Sequence, residues 1–144
     1  MKIRNPRSVR PWQHVLDPLS GYLLLGAKMT ADPVKYSTAY NFGPDAEETM
    51  TVEEVVKTAI SSFGKGNYEA ESTQNNVHEA GLLKLNSSKA NEELGWWPVY
   101  NAREAIERTM EWYRGNLDSK MSMAELCLND IRNYESIMKE EWQK

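Results

Sequence analysis

The segment from Thr51 to Gly64, TVEEVVKTAISSFG, constrains this chain more than any other, because both ends of a helix are written into it. Thr51 and Glu54 have the spacing of a capping box, in which the hydroxyl accepts from the N3 amide and the carboxylate accepts from the N-cap amide. Met50 stands where a hydrophobic staple onto Val55 would begin. Val52, Val55, Val56, Ala59, Ile60 and Phe63 recur at intervals that place them on one helical face. Gly64 supplies the left-handed stop. An amphipathic helix of this kind needs an apolar surface to lie on, so the rest of the chain must supply one.

Similar punctuation divides the remainder. Asp17-Pro18 reads as a helix start, with Asp as N-cap and Pro at the first helical position. The helix runs through Leu19, Tyr22, Leu23 and Ala27 on one face. Gly21 and Gly26 weaken it, and tight packing on a neighbour explains such glycines better than ligand approach. Ser37 to Phe42 is rich in β-favouring residues and predicts a short strand ended by Gly43-Pro44, with a second near Asn67 to Glu71 and a third over Leu82 to Leu85. Asn86 is placed to cap a helix from Ser87 to Leu94 that Gly95 ends. Trp96-Trp97-Pro98 must then be extended, one indole in the core and the other open to exposure. Asn101 and Glu104 form a second capping box. Its helix turns Ala102, Ala105, Ile106, Thr109, Met110 and Tyr113 inward and stops at Gly115. The last segment, Ser122 to about Glu141, places Met123, Cys127, Ile131, Tyr134, Met138 and Trp142 at helical spacing, packed on the body of the protein. Helices with short strands imply an α/β or α+β-like, helix-rich chain.

The 144 residues suit one domain, and the expected organisation is a single region over 1–144. The longest apolar run, Tyr22 to Ala27, is far short of the ~20 residues a membrane span needs. The basic N-terminus has no apolar stretch behind it, which argues against a secretory signal and for a cytoplasmic protein. Seventeen basic against twenty-one acidic residues give a net charge of −4. With a pI of about 5.3, that argues against a general nucleic-acid binder. The distribution is uneven: Lys2, Arg4, Arg7 and Arg10 crowd the first ten residues with no acid among them. Arginine forks suit a phosphate or carboxylate, although a solvated basic tail has the same composition.

No independent catalytic centre is specified. One cysteine and two histidines give no metal-ligand spacing. Cys127, on a presumptive core helix, reads as a buried inert thiol. Gly64-Lys-Gly66 has Glu69 in place of a third glycine and no strand before it, so it is no dinucleotide fingerprint. No tyrosine is followed by a lysine four residues later.

Three segments are more particular: Arg4-Asn-Pro-Arg-Ser-Val-Arg-Pro-Trp-Gln-His-Val-Leu-Asp-Pro-Leu19, Tyr40-Asn-Phe-Gly-Pro44, and His78-Glu-Ala-Gly-Leu-Leu-Lys-Leu-Asn-Ser-Ser-Lys-Ala90 with Leu94-Gly-Trp-Trp-Pro98. In this order they resemble the C-terminal half of the CDP-glucose 4,6-dehydratases, members of the extended short-chain dehydrogenase/reductases. The resemblance covers about Lys2 to Tyr113, and more weakly Ile131 to Tyr134. The first segment is specific to these dehydratases. The SKA…LGW-x-P element is shared across nucleotide-sugar epimerases and dehydratases.

The resemblance implies an enzyme that holds NAD on an N-terminal Rossmann domain, oxidises the sugar at C4, eliminates water across C5–C6 and returns the hydride to C6. The glycine fingerprint and the Tyr-x-x-x-Lys pair belong to that N-terminal half. This chain is therefore expected to be the nucleotide-sugar-binding part, with no catalytic residue, no metal and no cofactor of its own, and without the family's dimer helices. By resemblance Arg10 falls on the substrate diphosphate, and Ile3, Arg4 and Asn5 near the nucleobase. His78 would donate to phosphate, and Glu79 would accept from ribose or an amine. Asn41 either lines the cleft or caps the end of its strand. His14 and Asp17 look structural. The family usually shows Asp where Asn86 stands, and Asn caps a helix equally well. Two other readings stay open: a stand-alone CDP-sugar-binding or regulatory module, and a helical interaction protein whose basic arm touches RNA or an acidic partner.

Overall fold

The computed structural model describes residues 1–70, 81–118 and 121–142. The Thr51 helix forms as its ends dictate. Helix α3 (Val52–Phe63) begins at the capping box: Glu54 N donates to Thr51 Oγ1 at 3.2 Å and Thr51 N donates to Glu54 Oε2 at 2.8 Å. Gly64 closes it at φ 85°, a conformation that costs a glycine nothing. Two further amides of its first turn are taken by the N-terminal segment: Val52 N donates to Ser8 O at 2.9 Å, and Glu53 N to Pro6 O at 3.0 Å. The basic arm is thus bound to the body of the protein.

That arm also makes the short strands. β1 (Lys2–Ile3) runs parallel to β4 (Glu69–Ala70), and β2 (Val9–Arg10) pairs antiparallel with β3 (Met50–Thr51), Arg10 opposite Met50. β4 falls inside the predicted 67–71 span. Of Leu82 to Leu85 only Leu82 bridges, to Val9, through the bonds Val9 N to Gly81 O and Leu83 N to Val9 O, so the predicted strand there reduces to a single bridge. The strand predicted over Ser37 to Phe42 does not form. Its start is preceded by a short helix, α2 (Pro33–Tyr36), capped by Asp32. The carbonyl of Phe42 accepts from Gln13 Nε2, and Gly43 N donates to Ser87 Oγ at 2.9 Å. These side-chain bonds satisfy the backbone that a ladder would otherwise use.

Helix α1 (Leu16–Ala31) corrects two expectations. Asp17 lies inside it and does not cap it. The N-terminal residue Val15 contributes no side-chain bond, and Leu16 N instead donates to Nδ1 of the buried His14 at 3.3 Å. The apolar stripe Leu19, Tyr22 and Leu23 is exposed, Leu23 to 77%. The buried side carries Asp17 and Gly21, with Leu24 and Leu25 partly covered. Helix α4 (Ser88–Leu94) ends at Gly95 as expected, and Asn86 Oδ1 accepts from Ser88 N at 2.9 Å.

Helix α5 (Ala102–Asp118) starts at the Asn101–Glu104 box, with both bonds present at 2.9 and 3.0 Å. It buries Ala102, Ala105 and Ile106, but leaves Tyr113 exposed, and packs on α3. Gly115 does not stop it. The helix passes through, because Gly115 sits against Leu126 of α6 (Met123–Trp142), where an added Cβ would lie 3.1 Å from the leucine. α6 opens on a third capping box, Ser122 with Glu125, legible as S-x-x-E. Tyr134 is buried, but Met123, Cys127 and Ile131 are exposed, so Cys127 is not a core thiol. The side chain of Trp142 lies outside the described residues.

Two cores result. Tyr36, Phe42, Ala90, Leu94 and Trp96 form one, with the Phe42 ring edge-on to Trp96 at 5.0 Å. Tyr100, Ala105 and Tyr134 form the other. Between them lies a polar knot. Asp17 Oδ1 accepts from Val99 N at 2.8 Å and from the Tyr134 hydroxyl at 2.9 Å. Ser20 Oγ lies 3.0 Å from the Tyr134 hydroxyl and accepts from Trp96 Nε1 at 3.0 Å. Burial raises the Asp17 carboxyl, against the pull of those donors.

Two outcomes follow from this packing. A Cβ on Gly21 would overlap the Phe42 ring, whereas Gly26 has open space around it. Gly21→Ala should therefore destabilise by about 1–3 kcal/mol, overriding its helix gain, and Gly26→Ala should stabilise by up to about 1 kcal/mol. Urea midpoints at constant slope check the pair, and equal effects would contradict the packing. Burial, and secondarily Arg108, lowers the His14 pKa below 6.5, with Asp130 opposing. The unfolded chain then binds more protons than the folded one below pH ~6.5, so the stability given by neutral His14 is lost as pH falls through the folded value. His14→Gln keeps an acceptor for Leu16 N and cannot titrate. Its unfolding midpoint should fall less than the parent's between about pH 6.5 and 5.

Candidate functional site

The antiparallel pairing with β3 carries Arg10 to the edge of a small cavity shared by Pro44, Asp45, Ala46 and Glu48 on one side and Leu83 to Leu85 on the other. Arg10 is half-buried, and its Nη1 donates to the carbonyl of Val9 at 2.8 Å. Lys84 joins it in the cavity wall and donates from Nζ to Ala46 O at 2.7 Å. Two cations therefore share this wall with two carboxylates, Asp45 and Glu48. An incoming anion would gain bidentate bonds from the guanidinium and meet repulsion from the acids.

The other expected residues are only partly brought together. Asn41 is exposed and donates from Nδ2 to Asn86 O at 3.2 Å. It borders the same 42–46 segment, but it caps no strand, because none forms there. Arg4 is exposed and Asn5 half-buried in the turn where Ser8 N donates to Asn5 O at 3.1 Å; β1, which leads into that turn, belongs to the other sheet from Arg10. Arg7 is exposed, and its charge helps hold the Glu53 carboxyl low, after the hydrogen bonds from Tyr68 and Lys57. His78 and Glu79 lie outside the described residues.

Among the described residues no tyrosine lines this cavity, and the tyrosines with shifted titration lie elsewhere. A tyrosine serving as a base near neutral pH needs its pKa lowered by a nearby cation. Tyr40 is instead pushed up to about 12 by its 2.7 Å hydrogen bond to Glu93, and Tyr68, Tyr100 and Tyr134 are also raised. Among the described residues, Gly64 and Gly66 do not form a dinucleotide cradle. Gly64 and Gly66 follow the C-terminal end of α3, whereas a pyrophosphate cradle needs the free amides of a helix N-terminus. Those of α3 are already taken by Ser8, Pro6 and Thr51.

Sequence reasoning missed the larger cleft, about 450 Å³, which shares the Pro44–Ala46 and Lys84–Leu85 wall and continues to Asn86, Ser88, Trp97 and Pro98. Its signal was the doubled indole before proline: Trp96 is fully buried, and Trp97 is 58% exposed.

Comparison with known proteins supplies the context. No family model matches the chain. The chain is 42% identical over 112 residues to CDP-glucose 4,6-dehydratase of Salmonella typhimurium, covering 78% of this chain and 31% of that protein. It is 28% identical over 109 residues to dTDP-glucose 4,6-dehydratase of Streptomyces antibioticus, covering 76% and 30% respectively. It thus spans about a third of the length of the curated relatives it matches. Among solved structures, dTDP-glucose 4,6-dehydratase of Bacillus anthracis in complex with NAD superposes with a TM-score of 0.57 at 22% identity, over 83% of this chain and 36% of that one. The helix-rich architecture is accordingly that of a fragment of this fold. The chain is a partial homologue of CDP-glucose 4,6-dehydratase, matching about a third of that protein.

Proposed function

We propose that this chain is the nucleotide-sugar-binding part of a CDP-glucose 4,6-dehydratase and performs no chemistry by itself. The observation that carries the reading is the 42% identity to that enzyme over 78% of the chain, which covers only 31% of the enzyme. The Rossmann domain with its glycine fingerprint and Tyr-x-x-x-Lys pair would lie outside the 144 residues. Arg10 would hold the diphosphate by its guanidinium fork, released from its contact with the Val9 carbonyl when the ligand arrives. Arg4 and Asn5 would stand near the cytosine, Asn41 at the cleft edge, and His78 and Glu79 at phosphate and ribose. NAD would belong to the assembled enzyme, and the family's dimer helices to the missing half.

A stand-alone CDP-sugar-binding module remains as a second reading. It is favoured by the way the basic arm is bound into α3 and β3 of this same chain, which gives Arg10 a fixed position without another domain.

Both readings predict that the pure chain with added NAD forms no 4-keto product from CDP-glucose; turnover would overturn them. They divide on affinity. Micromolar CDP binding by the chain alone, measured by calorimetry, supports the module, and binding that requires complementation by a relative's Rossmann half supports the enzyme part. Whichever form binds, Arg10→Ala should weaken CDP about 10- to 150-fold, the worth of charge-assisted hydrogen bonds. Arg10→Lys should recover only part, since a point charge lacks the fork. Arg7→Ala should change affinity by less than about fivefold, as exposed pairs do. Equal losses at Arg7 and Arg10 would reduce the cluster to a diffuse basic patch, and no loss at Arg10 would remove its phosphate role.

A further inference from the structure

A further cavity, about 360 Å³, lies where the start of α1 meets α5 and α6, and it shares no lining residue with the two cavities near Arg10. Its frame is fixed at both ends. At one, Gly115 of α5 sits against Leu126 of α6. At the other, Tyr134 of α6 shares a core with Ala105 of α5 and bonds to Asp17 of α1. Thr109 and Cys127 fall between these anchors and are small, so the two helices leave a gap that larger side chains would fill. Leu16 and Leu19 of α1, Trp112 of α5 and Ile131 of α6 make its walls apolar.

Two polar groups belong to the same lining, His14 and Asp130. His14 is only 4% exposed, and its ring is held edge-on to Tyr100 at 5.3 Å. Leu16 N donates to its Nδ1, so that nitrogen carries no proton. Burial lowers the ring's pKa and keeps it neutral, which leaves its one proton on Nε2. That N–H has no acceptor among the described residues, and a buried donor left unsatisfied is unfavourable. Asp130 is half-buried on α6, and its charge acts on His14. Its carboxylate takes no hydrogen bond or ion pair among the described residues, since the nearby Arg108 pairs with Glu111. The Thr109 hydroxyl is already spent on Ala105 O at 2.7 Å.

The polar end of the cavity therefore offers one N–H donor and one carboxylate acceptor. A ligand that only accepts would leave Asp130 unmatched. A cation would satisfy Asp130 and turn its own protons on the His14 N–H. A hydroxyl accepts and donates through a single oxygen, and an acidic, phenolic one donates well to a carboxylate. The aromatic ring that carries it matches the aliphatic walls and the Trp112 indole.

We infer that this cavity binds a small phenol, its ring among Leu16, Leu19, Trp112 and Ile131 and its hydroxyl between His14 Nε2 and Asp130. The inference does not rest on the function proposed above, because neither Arg10 nor a nucleotide takes part.

Titration of the full chain with phenol up to about 20 mM, followed by the His14 ring and the Trp112 indole N–H, tests it. A saturable shift with a dissociation constant of about 0.5–5 mM is expected, as suits a ligand of this size. Anisole, the same ring with the donated hydrogen replaced by methyl, should bind at least about fivefold more weakly. Asp130→Ala removes the acceptor and keeps a good helix former, and should weaken phenol at least about fivefold. Cys127→Phe, at an exposed position, fills the gap and should weaken phenol at least about tenfold. Absence of saturation at the top concentration, anisole binding as tightly as phenol, or unchanged affinity in either variant overturns the inference. Benzylamine saturating the same signals at lower concentration than phenol also overturns it, by making the cavity a cation site. So does a shift of these signals with protein concentration alone, which would give the groove to a second copy of the chain.

Discussion

One carboxylate holds the parts of this molecule in register. Asp17 is fully buried on α1, and its Oδ1 receives both the amide of Val99 and the hydroxyl of Tyr134 from α6. Through Ser20 the same knot takes the indole N–H of Trp96. Three stretches far apart in sequence thus meet on one helical turn. The carboxylate's second oxygen is buried with no hydrogen-bond partner among the described residues, and burial raises the Asp17 carboxyl against its donors. A buried polar group of this kind specifies one arrangement, because any slippage of α1 against α6 would strand its donors and acceptors.

The two apolar cores depend on that registration. Phe42 can lie against α1 only because Gly21 carries no side chain, and from there it meets Trp96 edge-on. On the other side Tyr134 meets Tyr100 at 5.5 Å, and the buried His14 closes the stack at 5.3 Å from Tyr100. The exposed face of α1 carries Leu19, Tyr22 and Leu23, and of these Tyr22 still touches the first core, its ring 5.4 Å from Phe42.

The functional features sit where these packed parts leave loops. Segments 42–46 and 83–88 have little ladder pairing, and side-chain bonds such as Gln13 to Phe42 and Ser87 to Gly43 hold them in place. Arg10 reaches them because β2 pairs with β3, and Trp97 reaches them because Gly95 and Pro98 bracket it. The two cavities are two faces of one wall. Loops positioned by a fixed scaffold are a usual place for binding residues.

The sequence by itself determined the local signals. The Thr51 and Asn101 boxes and the stops at Gly64 and Gly95 were all legible, because each is decided within a few residues by backbone geometry and capping; that one indole of Trp96-Trp97 would be buried was legible, but not which. The resemblance in Arg4 to Leu19 and His78 to Ala90 also pointed to the dehydratase that the chain matches over about a third of that protein's length. Tertiary structure alone decided the rest. Periodicity marks an apolar stripe but not what it faces, so the Leu19–Leu23 side of α1 read as one apolar face and is largely exposed. A glycine in a helix is the same letter whether it ends the helix or admits a neighbour, so Gly115 read as a stop and is a crossing point under Leu126. Asp17 read as a cap because capping is local, whereas its partners Val99 and Tyr134 lie 82 and 117 residues away, and only folding brings such donors to one oxygen.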